Sequence, residues 1–354
     1  MTASLLDTVI PTTSLLLTDV INSGSFATVY QALDAVSGHR YAVKALEKTG
    51  LSKQQSDGLW REIGIMKRLQ TEGVPNIVRL ENVVETGNWI FLVLECCEVD
   101  LYDAITQETL PQHTILPIFH SLCTTLSRLH ALSIYHRDIK PENILLTHGS
   151  RRVRLADFGL STIYPTSSDM GCGSTRYMAP ECLPGNAKPY DCAKADAWSL
   201  GIVLVNLVSG KNPWYEADRS DPLYAAYLDG EQVLQETFGF SAEFVAVVRM
   251  ILDPDPATRC PVVEIWSKVK AVRRFYDDGS DAGIAANSTP QMHPISSPIR
   301  APQDLSAAAA ARHSDDLFTA SPPRYVAGGK FSIQDSGFES EEALELFALR
   351  ELVI

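Results

Sequence analysis

Between residues 29 and 95 the chain alternates short runs of β-branched and aromatic residues with turn-forming clusters. Runs at 29–32, 40–45, 77–84 and 89–95 predict strands, and Ser37-Gly38 and Thr86-Gly87-Asn88 predict turns between them. Among them, residues 58–69 place Leu59, Ile63, Met66 and Leu69 at helical spacing, which sets Glu62 beside the inward face of a single helix. After residue 95 the period changes from two to 3.6. The segments 115–132, 195–208, 242–252 and 262–275 have the length and period of helices, so a sheet-rich first part precedes a mainly helical second part. From about 277 to 332 the chain turns to Ala, Ser, Pro and Asp, with Ser-Pro or Thr-Pro steps at Thr289, Ser297 and Ser321. Such a stretch cannot bury enough apolar surface to offset its ordering entropy and is expected to be disordered. Near the end, Ser340, Glu341 and Glu342 precede Leu344, Leu346, Phe347, Leu349, Leu352 and Val353: either a capped docking helix or a marginal, frayed end.

Within the helical part, His136-Arg137-Asp138-Ile139-Lys140-Pro141-Glu142-Asn143 is followed by Asp157-Phe158-Gly159, 14 residues beyond Asn143, and by Ala179-Pro180-Glu181. Phosphoryl transfer needs a carboxylate to accept the attacking hydroxyl's proton and oxygen ligands to hold Mg²⁺ against a triphosphate. Asp138, Asn143 and Asp157 suit those three posts. An ordinary solvated loop could hold any one of these residues, but not the whole ordered run.

These residues resemble the protein kinase family, and the resemblance covers roughly residues 19–275. It implies an α+β bilobal fold: a small β-rich lobe with one helix (about 19–95) and a larger helical lobe (about 98–275), flanked by an N-terminal extension (1–18) and an acidic tail (276–354). Tyr41-Ala42-Val43-Lys44 resembles the strand whose lysine pairs the ATP phosphates, with Glu62 as its partner. That lysine, set among Ala42, Val43, Ala45 and Leu46, would be heavily penalised without an anion beside it. By the same resemblance Leu94 is the gatekeeper, the main chain of Glu95 and Cys97 meets adenine, Asp100 meets the ribose, and Ile21, Val29, Ala42 and Leu145 enclose the nucleotide. The side chains of Cys96 and Cys97 read equally well as small hydrophobes. Lys140 before Pro141-Glu142 resembles the serine/threonine subclass, with Lys140 stabilising the transferring phosphoryl group and Ser174 bridging Asp138 and Lys140. Asn143 and Asp157 become the Mg²⁺ ligands. His136, Phe158, Met66 and Leu80 match the family's regulatory spine, and Glu181 with Arg259 its buried ion pair. The stretches 171–182, 196–207 and 210–214 are similar to the fungal Ran/Pat-type kinases, which act in nutrient and cell-cycle control.

Two departures stand out. In the phosphate loop Ile21-Asn22-Ser23-Gly24-Ser25-Phe26-Ala27-Thr28-Val29 only the middle glycine, Gly24, is present; Asn22 and Ala27 occupy the other glycine positions, and a fit to ATP at some cost is expected. They also motivate a rival reading, a scaffold that does not turn over, against which stand Lys44, Asp138, Asn143 and Asp157, all present. A module acting through its tail is compatible with either. The second departure lies in the segment Asp157 to Glu181. Arg137 in this family awaits a phosphate there, and Thr166, Ser167 and Ser168 are the available acceptors. The usual position falls near Met170, which cannot be phosphorylated, so its neighbour Asp169 is expected to supply a standing negative charge.

The formal net charge of −13 argues against nucleic-acid binding and permits basic protein substrates. From Asp277 onward 12 acidic residues face five basic ones, so both parts of the chain are acidic. The seven cysteines form no CxxC pair, residues 1–17 have no basic n-region, and no uninterrupted apolar run reaches the roughly 18 residues of a membrane helix. A cytoplasmic or nuclear protein with reduced thiols is expected, with no membrane partner. In the tail, Asp335-Ser336-Gly337-Phe338-Glu339-Ser340 matches a doubly phosphorylated pattern that ubiquitin-ligase adaptors read; a solvated helix start is the plain alternative.

Overall fold

The computed structural model describes residues 4–24, 27–107, 112–147 and 152–277. The expected tail helix and the adaptor-binding pattern at 335–340 lie outside the described residues.

Five antiparallel strands form the small lobe: β1 (Leu15–Ser23), β2 (Ala27–Asp34), β3 (Arg40–Glu47), β4 (Leu80–Glu85) and β5 (Trp89–Glu95), in the spatial order β1-β2-β3-β5-β4. The first strand carries no clear alternation because its second half, from Asp19 on, is exposed. Residues before it are not a free extension. A bridge pairs Val9 with Leu16, the Leu17 amide donates to the Thr8 carbonyl, and Ile10 is buried with Leu15, Leu17, Tyr30, Val43, Phe91 and Val93 on the outer face of the sheet. Strand β4 starts three residues later than the apolar run 77–84 predicts, because Ile77 instead bridges Leu155 and the Val78 amide donates to the Leu155 carbonyl in the other lobe.

The single small-lobe helix, α1 (Lys53–Thr71), begins five residues before its apolar period does. Residues 53–57 are polar, so periodicity is blind to them. What starts the helix is a capping box, in which Ser52 Oγ accepts from the Gln55 amide and the Gln55 side chain accepts from the Ser52 amide.

The large lobe contains a three-stranded sheet, β6 (Val99–Asp100), β7 (Ile144–Thr147) and β8 (Arg152–Leu155), and a short pair, β9 (Thr166–Ser167) with β10 (Tyr190–Asp191). Its helices are α2 (Leu101–Thr106), α3 (Ile115–Ala131), α4 (Cys192–Ser209), α5 (Pro222–Leu228), α6 (Val233–Phe238), α7 (Ala242–Ile251) and α8 (Val262–Ala271). The three short helices span too few turns to show a period in the sequence. Helix α8 stops at Ala271, four residues short of expectation, and Phe275 folds back onto Phe244 at 4.7 Å between rings.

Helix α4 is apolar on every side because it is the core: 14 of its 18 residues are buried. Gly201 in its middle faces α7, where an added Cβ would stand 2.7 Å from both Ile251 Cγ2 and Leu252 Cδ2, whose side chains are fully buried. Alanine would gain about 1 kcal/mol of helix propensity, but overpacking a rigid interior costs about 1–3 kcal/mol. Gly201→Ala is therefore expected to lower the melting temperature by a few degrees in calorimetry. An unchanged or higher value would mean that α4 and α7 are not packed as described.

Candidate active site

Lys44 sits in the middle of β3, flanked in the ladder by Val29 on β2 and Leu92 on β5. Its Nζ donates to Glu62 Oε1 at 2.8 Å and Oε2 at 3.1 Å, and lies 3.2 Å from Asp157 Oδ1. Burial favours the neutral amine, but the two carboxylates outweigh it and push the lysine's pKa up. Lys44 in turn holds the Asp157 carboxyl below its ordinary range. One cation thus joins a strand, a helix and the large lobe.

On the large-lobe side, Asp138 is almost wholly buried. Its Oδ1 accepts from the Ser174 amide at 3.1 Å and the Ser174 hydroxyl at 3.0 Å, while Oδ2 accepts from Asn143 Nδ2 at 3.0 Å and pairs with Lys140 Nζ at 2.9 Å. Lys140 also donates to Ser174 Oγ at 2.8 Å. The expected trio of Asp138, Lys140 and Ser174 is therefore one hydrogen-bonded unit.

Asn143 and Asp157 supply hard oxygen donors, and among the described residues no group of three His, Cys, Asp or Glu could enclose a metal. Two protein ligands fit Mg²⁺, which keeps several waters and shares its shell with substrate phosphates.

The expected nucleotide walls converge as well. Ala42 pairs with Leu94 across the ladder, and Leu145 pairs with Asp100 across β6 and β7. Leu94, Cys97 and Leu145 are half-buried apolar surfaces against the main core. Ile21 lies at a break in the β1 register, largely exposed at the rim. The Glu95 carboxylate is committed to Arg154 Nε at 2.8 Å and its amide to the Arg79 carbonyl. Asp100 also caps α2 by accepting from the Asp103 amide, and burial pushes its carboxyl up. In the phosphate loop the Gly24 amide donates to the Ala27 carbonyl at 2.9 Å. Asn22 stands opposite Val29, next to the register break, and Ala27 opposite Leu46, neither with a positive φ. Ser25 and Phe26, at the loop's tip, lie outside the described residues.

Met66, Leu80 and Phe158 share one buried cluster, and the His136 ring lies 5.0 Å from that of Phe158. Arg259 pairs with Glu181 through both guanidinium nitrogens, at 2.5 and 2.8 Å, and stacks 4.9 Å from the Trp198 ring. Arg137 Nη2 meets Asp169 Oδ2 at 2.9 Å, as expected of a standing charge.

Sequence reasoning missed the residue that holds the catalytic loop. Asp196 on α4 is buried; Oδ1 accepts from the Arg137 amide at 2.8 Å, and Oδ2 from the His136 amide at 2.9 Å, with His130 Nε2 also at 2.9 Å from Oδ2. Arg137 can then keep φ at 68°, and Asp157 keeps 60°, backbone angles that cost energy and cluster at functional sites. The signal was present: Asp196 is the one carboxylate in a mainly apolar, core-forming helix, and a buried carboxylate needs donors.

Burial alone would raise the Asp196 carboxyl, but the His130 imidazole and the Arg137 amide, with His136 nearby, outweigh it and hold it below its ordinary range. A carboxyl depressed on folding stabilises the fold above its unfolded pKa, and that contribution is lost as pH falls through the folded value. Asp196→Asn, which sets amide hydrogens against amide donors, is expected to cost about 2–3 kcal/mol at neutral pH. Its melting temperature should also fall less steeply than the wild type's below about pH 4. Parallel acid limbs would contradict the charge assignment.

Comparison with known proteins agrees with this geometry. The protein kinase domain family matches residues 17–269. A negative regulator of sexual conjugation and meiosis from Schizosaccharomyces pombe is 36% identical over 281 residues, covering 72% of this chain and 59% of the relative. CBL-interacting serine/threonine-protein kinase 18 of Arabidopsis thaliana is 33% identical over 272 residues, 73% of this chain and 51% of its own length. Serine/threonine-protein kinase KSP1 of Saccharomyces cerevisiae is 34% identical over 235 residues, 61% of this chain and 23% of its own. The chain spans less than two thirds of the length of each of these relatives. With the family's motifs gathered into one cleft and its domain matched along most of the sequence, this chain belongs to the protein kinase family.

Proposed function

We propose that this chain is an active serine/threonine protein kinase that moves the γ-phosphoryl group of ATP to hydroxyls of protein substrates. The observation that carries the reading is Asp138, bonded at once to Lys140, Ser174 and Asn143. Its carboxylate is fixed where it can orient a substrate hydroxyl and accept its proton, while Lys140 stands ready to balance charge on the group in flight. Lys44, steadied by Glu62, would hold the nucleotide phosphates. Bound through Asn143 and Asp157, Mg²⁺ would neutralise charge on the triphosphate. A non-catalytic scaffold, which Asn22 and Ala27 motivate, is disfavoured because Lys44, Glu62, Asp138, Lys140, Asn143 and Asp157 are all in place. A role in fungal nutrient, cell-cycle or meiosis signalling is supported by the likeness to the S. pombe regulator. Seven free thiols support a cytoplasmic or nuclear location.

A transfer assay with γ-labelled ATP and a degenerate peptide array tests the reading. Asp138→Asn and Asp157→Ala should each cut turnover by at least about 100-fold, the first through loss of the proton acceptor and the second through loss of a metal ligand. Both variants should stay folded and monodisperse. Wild-type rates in Asp157→Ala would show that the metal ligands are assigned wrongly.

A further inference from the structure

The cations that line the cleft already have anions. Lys44 pairs with Glu62 and Asp157, Arg137 with Asp169, and Lys140 with Asp138. Arg176, close by, differs from them: it is exposed, and among the described residues its guanidinium pairs with no carboxylate. It is not a loose surface arginine, because it lies over the ring of Tyr215, 4.9 Å from the ring centre. Contact with a ring lowers the cost of the charge but gives the planar fork's N–H donors no acceptor oxygen. Those donors remain open to an oxyanion from outside.

Both halves of the contact are held by the backbone. Arg176 is the middle residue of the turn Thr175–Tyr177, in which the Tyr177 amide donates to the Ser174 carbonyl at 2.9 Å and the Met178 amide to the Thr175 carbonyl at 3.2 Å. Ser199 on α4 ties that turn to the core by donating from its hydroxyl to the Tyr177 carbonyl at 2.7 Å. Opposite, the Tyr215 amide donates to Asp221 Oδ2 at 2.8 Å, and Trp214 beside it is buried against Trp198, Tyr224 and Tyr227. The tyrosine ring itself is 58% exposed, so it presents the cation at the surface. A guanidinium fixed in this way loses little freedom when an anion binds.

Its place in the chain gives the feature a use. Ser174, two residues earlier, meets Asp138 through both its amide and its hydroxyl. Two residues span at most about 7 Å. An extended peptide whose acceptor hydroxyl rests on Asp138 therefore passes a neighbouring side chain within reach of Arg176.

We propose that Arg176, seated on Tyr215, is a specificity-determining subsite for an acidic side chain of the protein substrate: a carboxylate, or the phosphate of a residue already modified. Both present the paired oxygens that a guanidinium fork binds. The proposal rests on the kinase reading above and names the kind of sequence that reading leaves open. The chain's net charge of −13 repels acidic peptides at long range, but salt screens that field within about 8 Å, whereas Arg176 acts at contact distance.

The test uses the full chain with Mg²⁺ and ATP, and peptides that each carry one serine and, at a single position within about five residues on either side, Glu, Gln, phosphoserine or Lys. At one such position Glu should raise kcat/KM about tenfold over Gln, and added salt should narrow the gap. Arg176→Gln should bring Glu and Gln within about twofold of each other, and Arg176→Glu should reverse the order, so that Lys exceeds Gln at that same position. Partial unfolding cannot produce the reversal, because each ratio is taken within one protein. Tyr215→Ala should leave a smaller preference than the wild type's. A gain with Glu assigns the subsite to encoded acids, and a gain with phosphoserine alone assigns it to substrates already phosphorylated; either result upholds it. Equal kcat/KM for Glu, Gln and phosphoserine at every position would overturn the proposal, as would an acidic preference that survives Arg176→Gln. If no peptide is phosphorylated, the kinase reading fails, and fluorescence polarisation of labelled Glu and Gln peptides decides the subsite. Tighter binding of Glu peptides that disappears in Arg176→Gln would uphold it, and equal binding would refute it.

Discussion

The ammonium of Lys44 between the carboxylates of Glu62 and Asp157 is the interaction on which the cleft depends. The consecutive elements β3 and α1 and the strained turn at Asp157, more than 100 residues further on, share this one charge. Lys44 and Glu62 are largely enclosed and need each other, since an unpaired buried ion is penalised by several kcal/mol. With Asp157 they fix how the small lobe faces the large one. That is the arrangement a triphosphate needs, with a cation for its oxygens and a carboxylate left partly open toward solvent for a metal.

A second buried charge does for the large lobe what Lys44 does for the small one. Asp196 projects from the core helix α4 and takes up the amides of His136 and Arg137, so the loop that carries Asp138 is anchored to the best-packed part of the molecule. Precision at the reacting atoms is thereby inherited from the core. The ion pair of Glu181 with Arg259, stacked on Trp198, extends the same anchoring to the far end of the segment from Asp157 to Glu181.

Much of this was legible in the sequence because phosphoryl transfer tolerates few residue types in few positions. Lys44, Glu62, Asp138, Lys140, Asn143, Asp157 and Ser174 were all placed by motif, and the structure brings them together. What escaped was set by long-range packing or by local hydrogen bonding. Helix α1 starts at a capping box rather than at an apolar residue; β4 is shortened because Ile77 is drawn to Leu155; residues 5–17 cover the outer sheet face although nothing in their composition announces it. The role of Asp196 depends on donors 60 residues away, and no spacing rule reaches that far.

The most direct measurement of the central claim is the melting temperature of the full chain with ATP, with and without Mg²⁺. Nucleotide that binds only the folded cleft stabilises it by about 2.7 kcal/mol at one hundred times its dissociation constant. The account predicts a clear rise with ATP and Mg²⁺, a smaller one with ATP alone, and loss of the rise in Lys44→Met. No shift in wild type, or a shift that ignores both Mg²⁺ and Lys44, would contradict it.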